Sequence, residues 1–278
     1  MSTAFEQVPI QKVRDYWNAR PCNIRHSNAT VGTKAYFDEV EQRKYFVEPH
    51  IPAFANFGRW VDKDVLEIGC GIGTDTINFA RAGARVTAVD LSTESLKLAR
   101  QGADVFDLSD RIQFFEGNGE SLSDILPTKK YDLVYSFGVI HHSPHPRKII
   151  EQIRENFVHE NSVLKLMVYN RLSWKVVAMI LQEGGLFWKA HEIIARHSEA
   201  QTGCPITYSY TRSSDQHLLA PYFSVSEVFV DHIFPYVVPK YVQYEYEKEW
   251  YFRMLPTSVF RALEKRMGWH LCVTAAVT

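Results

Sequence analysis

Paired cysteines, a surplus of either charge and a long apolar run are all missing from this chain. Its four cysteines, Cys22, Cys70, Cys204 and Cys272, lie far apart without a C-x-x-C spacing, so neither a disulfide framework nor a zinc ribbon is encoded. They read as reduced thiols. Lys plus Arg total 31 against 32 for Asp plus Glu, which leaves no net field to gather a polyanion or an anionic membrane and argues against a nucleic-acid partner. No stretch reaches the roughly 18 apolar residues of a membrane span, and MSTAFEQVPIQKVRDYW lacks the apolar core of a signal peptide. These absences point to a cytoplasmic protein with no membrane partner. No internal repeat is visible. At 46% hydrophobic and 23% charged residues, the 278-residue chain can bury a sizeable core.

What is present is an alternation of strand-like and helix-like segments from Asp64 onward. DVLEIG (Asp64 to Gly69) is β-rich and ends in glycines, and TDTINFARAG (Thr74 to Gly83) then spaces apolar residues as a helix until Gly83 stops it. ARVTAVD ends at Asp90, Ser92 is placed to cap the helix that follows, and RIQFFEG, YDLVYSFG and SVLKLMVYN continue the strand series. Parallel βαβ units with right-handed crossovers follow from this order. The expected fold is α/β, a doubly wound, Rossmann-like, seven-stranded and mostly parallel sheet with helical N-terminal and lid insertions.

The expected organisation has four parts. Residues 1–60 form an N-terminal helical cap, and 61–170 the cofactor-binding core. Residues 171–212 form an inserted lid whose polar tip is RHSEAQTGCP (Arg196 to Pro205). The last part, 213–278, completes the core with strands FSVSEVFVDHIF (Phe223 to Phe234) and WHLCVTAAV (Trp269 to Val277), interrupted by a tyrosine-rich insertion at 235–268. That insertion suits core packing or an oligomer contact, with an aromatic substrate wall as the alternative, so a homodimer is open.

E-I-G-C-G-I-G (Glu67 to Gly73) sits where the first strand meets a helix, so Gly69, Gly71 and Gly73 let backbone approach a ligand at the helix N-terminus. Asp90 ends the next strand, where a carboxylate can accept both ribose hydroxyls of a nucleoside. The spacing is G-x-G-x-G rather than the G-x-G-x-x-G that accommodates a pyrophosphate, and Glu67 suits a ligand with a cationic end. In order, LEIGCGIGTDTINFARAGARVTAVDLS, EGNGESL and YDLVYSFGVIHHSPHP resemble the successive motifs of class I S-adenosylmethionine-dependent methyltransferases over roughly Asp64 to Met167. The resemblance implies S-adenosyl-L-methionine as cofactor. It also implies roles for Gly69, Gly71, Gly73 and Asp90 under methionine and ribose, for Asn118 and Gly119 beside adenine, and for Phe137 at the methionine end.

Methyl transfer from a sulfonium is an in-line displacement, so the chain has to align the acceptor, exclude water and accept a proton. His141 and His142, after the fourth strand, are the expected bases, with His141 favoured. Tyr169 and Asn170, ending the fifth strand, and Tyr16 and Arg20, near the N-terminus, are the expected acceptor contacts. No metal site is expected. The eleven histidines lack ligand spacing, His141-His142-x-x-His145 lies on a proline-interrupted loop, and no acidic pair follows GVIHH. A lid over the site favours a small-molecule acceptor, oxygen before nitrogen. The alternatives are a peptide carboxylate or nucleic-acid base as acceptor, and a non-catalytic binding protein.

Overall fold

A computed structural model describes residues 5–184, 193–194, 196–197 and 204–278. Seven strands form one sheet: β1 Asp64–Ile68, β2 Arg85–Asp90, β3 Ile112–Glu116, β4 Tyr131–Phe137, β5 Val158–Tyr169, β6 Phe223–Asp231 and β7 His270–Val277. Their order is β3-β2-β1-β4-β5-β7-β6. Parallel pairing joins β1 through β5, and β7 runs antiparallel between β5 and β6. The winding reverses between β1 and β4, which opens a crevice beyond the carboxyl ends of those strands.

Side-chain alternation along the strands builds a core on each face of the sheet. Leu66, Ile68, Val134, Leu164 and Leu166 pack on one side, and Val65, Leu133, Tyr135 and Met167 on the other. These strands are buried on both faces, which is why they read as nearly continuous apolar runs. Ser92 accepts a hydrogen bond from the Ser95 backbone N–H, so the expected cap of helix α5 (Thr93–Val105) is in place, a contact worth about 1 kcal/mol.

The N-terminal region is helical, with α1 Ile10–Ala19, α2 Lys34–Val47 and α3 Ile51–Ala55 ahead of α4 Thr74–Arg81. Helix α1 docks on α5 through Asn18, whose side-chain oxygen accepts from Ser92 Oγ at 2.9 Å. Later in the chain come α6 Pro146–Gln152 and α7 Trp174–Gln182. The expected lid, 171–212, is described only in part. Helix α7, capped by Ser173, and the stretch after 204 are seen, whereas 185–192, 195 and 198–203, with most of the RHSEAQTGCP tip, lie outside the described residues. The Tyr208 N–H donates to the His141 carbonyl at 2.9 Å and the Tyr210 N–H to that of Tyr169 at 2.7 Å. The expected sixth strand stops at Asp231, three residues short of Phe234, because His232 turns the backbone into the left-handed region at φ 71°.

Candidate active site

A cavity of about 650 Å³ lies over the crevice. Its floor comes from the ends of the strands: Gly69 and Gly71 after β1, Asp90 ending β2, Asn118 and Gly119 after β3, Phe137 ending β4, Tyr169 ending β5 and His270 opening β7. Helix α1 contributes Ile10, Val13 and Trp17, while α7 contributes Trp174, Lys175 and Met179 from another side.

The glycine turn is fastened from beneath. The Gly69 and Cys70 N–H groups both donate to the Val89 carbonyl, at 2.7 and 3.2 Å. Asp90 accepts from the Gly71 N–H at 2.8 Å through one oxygen and from the Ser92 N–H at 2.8 Å through the other. Burial pushes the Asp90 carboxyl upward, against the pull of these backbone donors. Each oxygen keeps lone-pair capacity toward the cavity, since a carboxylate accepts about four hydrogen bonds. A Cβ built on Gly71 would meet nothing within 4 Å and so would enter the cavity, whereas on Gly69 it would lie 2.2 Å from Val139 Cγ2. An open cradle above Gly71, an acidic group below it and Asn118 beyond fit the nucleoside and methionine parts of S-adenosylmethionine.

Of the residues chosen from sequence, Gly69, Gly71, Asp90, Asn118, Gly119, Phe137, His142 and Tyr169 are brought together on the cavity wall. Six others are not. Glu67 is buried beneath the turn and accepts from Thr76 Oγ1, so it meets no cationic ligand directly. Gly73 faces Ala99, 3.0 Å from where a Cβ would sit, and both this close packing and its left-handed backbone, φ 86°, call for glycine. His141 is fully buried, its ring 3.9 Å from that of Tyr169 and 4.2 Å from that of His142, and neither ring nitrogen has a hydrogen-bond partner among the described residues. It is not among the residues that line the cavity. Tyr16 packs edge-on against Trp17, and Arg20 stacks over Tyr16 at 5.5 Å on the outer side. Asn170 donates to the Gly268 carbonyl and accepts from the Leu172 N–H, at 2.9 and 3.1 Å, tying the chain after β5 to the entry of β7.

His142 donates from Nδ1 to the Ile206 carbonyl at 2.6 Å, which leaves Nε2 as its basic nitrogen. Two features escaped sequence reasoning, the Asp75 cluster and the Glu48 group. Lys44 Nζ pairs with Asp75 at 2.7 Å, and Tyr45 and Tyr135 also donate to Asp75, at 2.9 and 3.0 Å. Asp75 holds the Lys44 ammonium above its ordinary pKa although burial opposes this. Trp174, Trp269, Tyr251 and Phe252 give the cavity an aromatic wall, so the tyrosine-rich insertion reaches the cavity through Tyr251, the less favoured of its readings. Glu48, His232 and His270 converge on that same cavity from three distant segments.

Burial, with the nearby Asp75 charge second, pushes the Glu67 carboxyl up to about 8 from an ordinary value near 4.5. The folded chain therefore holds this proton between those values while the unfolded chain releases it. The stabilising contribution is complete below about pH 4.5 and is lost as the pH rises toward 8. Glu67→Gln removes this dependence. Thermal melts should show the variant gaining on the parent steadily between pH 5 and 8, and a difference independent of pH would show that Glu67 is ionised in the fold.

The family model described as a methyltransferase domain matches residues 65–158. The ubiquinone biosynthesis O-methyltransferase of Glaesserella parasuis is 31% identical over 122 residues, covering 43% of this chain and 50% of the relative. The mitochondrial ubiquinone biosynthesis O-methyltransferase of Schizosaccharomyces pombe is 34% identical over 110 residues, 39% of each chain. The chain thus spans half or less of the length of these curated relatives. Among solved structures, magnesium protoporphyrin IX methyltransferase from Synechocystis PCC 6803 superposes with a TM-score of 0.59 at 17% identity, covering 97% of this chain and 100% of that one. Geranyl diphosphate C-methyltransferase from Streptomyces coelicolor gives 0.57 at 13% identity with full coverage of both. These likenesses establish the fold, and residues 65–158, which carry the ordered motifs around Gly69, Asp90, Asn118 and Phe137, match a methyltransferase domain.

Proposed function

We propose that this chain transfers a methyl group from S-adenosyl-L-methionine to an oxygen of a small-molecule acceptor bearing an aromatic hydroxyl. One observation carries the reading. A single cavity runs from the Gly71, Asp90 and Asn118 cradle to a chamber walled by Trp174, Trp269 and Tyr251, and its volume suits a small ligand more than a folded macromolecule. The curated relatives are named as O-methyltransferases, which favours oxygen over nitrogen.

When bound, S-adenosylmethionine supplies an electrophilic methyl group. Asp90 accepts the ribose hydroxyls, Asn118 and Gly119 flank adenine, and Phe137 and Tyr169 stand where the two halves of the cavity meet. The aromatic wall orients a planar acceptor and excludes water, which strengthens the polar contacts within. His142, tautomerically fixed by Ile206, belongs to the wall as a proton acceptor.

The reading includes a lid over residues 171–212, a cap at 1–60, and the core at 61–170 and 213–278. Among the described residues no helix is long and apolar enough to cross a membrane. We read the chain as cytoplasmic and as a homodimer formed through the exposed Trp250 and Met254. Incubation with methyl-labelled cofactor and a panel of phenols, aromatic amines and aromatic acids tests the activity by mass spectrometry. Labelled methyl ethers are expected. Tight cofactor binding with no labelled product from a host extract would favour a binding protein, and labelled esters or amines would move the acceptor class.

A further inference from the structure

The acceptor end of the cavity holds a group of donors that methyl transfer to oxygen does not by itself require. Glu48 directly follows α2, His232 directly follows β6 and His270 opens β7. Each presents one ligand atom, and these atoms all lie within 4.8 Å of one another. Donors about 2 Å from a common centre stand roughly 3 to 3.5 Å apart, so the group is close to the size that one ion draws together. All three residues belong to the cavity wall.

The surroundings of the two rings orient lone pairs inward. The Val47 backbone carbonyl neighbours the His232 ring and can take one ring N–H, which leaves the other nitrogen as an acceptor. His270 Nδ1 is 3.0 Å from His50 Nε2, and with Nδ1–H donating there, the His270 Nε2 lone pair points at Glu48 Oε1, 3.5 Å away. The His232 and His270 rings are 4.5 Å apart. Two cations are near. Lys44 is held by Asp75 at 2.7 Å, and Lys175, over the Trp269 ring at 4.5 Å, is a wall cation suited to an anionic acceptor.

We propose that Glu48, His232 and His270 bind one divalent transition-metal ion whose remaining coordination positions face the acceptor chamber. Two imidazoles and one carboxylate suit zinc, iron(II) or cobalt(II) better than magnesium or calcium, which prefer oxygen donors alone. Three protein ligands with an open face make a site of the catalytic type. The ion's role rests on the methyl-transfer reading, although its binding does not. An acceptor hydroxyl placed on the ion gives up its proton to solvent more readily. The oxygen lone pair then forms the bond to the methyl carbon as the carbon–sulfur bond breaks, and sulfur keeps that electron pair.

The metal-stripped full chain is titrated with zinc chloride by calorimetry and with cobalt(II) followed by visible absorption. One equivalent should bind, with cobalt d–d bands that zinc displaces. Glu48→Gln and His232→Gln should each weaken binding more than about 100-fold, beyond the loss typical of outer-shell partners, while the remote His159→Ala should not. Circular dichroism checks folding, and the isosteric Glu48→Gln keeps the test valid if His232→Gln does not fold. Absence of stoichiometric binding, or binding unchanged in folded Glu48→Gln, overturns the site. Methyl transfer is read separately on the same samples. Full activity of the stripped chain overturns the ion's role, whereas one bound ion without product from any acceptor upholds the site and overturns the methyl-transfer reading.

Discussion

Gly71→Val should give a folded chain that no longer takes up S-adenosylmethionine. Position 71 combines a left-handed backbone, φ 55°, with empty space where a Cβ would stand. A Cβ there meets no protein atom within 4 Å, so the side chain leaves the backbone without a clash, and its cost to the fold is the left-handed conformation of a β-branched residue, about 1 to 2 kcal/mol. For a chain of this size that is a fall in Tm of a few degrees. The ligand suffers far more, because both γ-methyl groups would occupy the cradle above Asp90. Gly69 makes the contrast. Its φ is 78° and an added Cβ would lie 2.2 Å from Val139 Cγ2, so Gly69→Ala should be visible first as lost stability. Thermal shift with and without cofactor separates the two. The parent should gain Tm on adding cofactor, as mass action requires, and Gly71→Val should gain nothing. A Gly71→Val chain stabilised by cofactor as much as the parent would remove this turn from the binding site.

The same contrast explains which parts of the molecule were legible beforehand. The run of Val65, Leu66 and Ile68 into Gly69, and the step from Asp90 to the Ser92 cap, are local rules of period and capping, and the structure follows them closely. Glu67 was read for its charge, but charge is a property of surroundings. Beneath the turn, with Thr76 as partner and Asp75 nearby, it is an acid that keeps its proton. His141 and His142 are adjacent in sequence and alike in chemistry, yet the short helical turn at Ile140–His142 sends one into the packing and the other to the cavity wall. No spacing rule could have joined Glu48 to His232 and His270, because their meeting depends on α2 docking beside the β6 and β7 ends. Metal-ligand motifs are legible when one hairpin or helix supplies the donors, and this group draws on three segments.

Asp90→Ala should raise the dissociation constant for S-adenosylmethionine about 10- to 150-fold, the equivalent of about 1.5 to 3 kcal/mol for lost charge-assisted hydrogen bonds. Two mechanisms contribute to that figure. Asp90 lies on the cavity wall, where it can accept ribose hydroxyls, and it also fastens the Gly71 and Ser92 N–H groups at 2.8 Å each. Alanine would free the turn that forms the cradle as well as remove the ribose acceptor, so a weaker dissociation constant alone does not say which was lost. A cofactor analogue lacking the ribose 2′-hydroxyl separates them. Against the parent chain the analogue should bind more weakly than the cofactor, and against Asp90→Ala the two should bind alike, since the group that distinguished them is gone. Asp90→Asn, which retains one carbonyl acceptor, should fall between. If Asp90→Ala still discriminated the analogue by the parent's margin in calorimetry, the ribose would be held elsewhere and Asp90 would act only by shaping the turn.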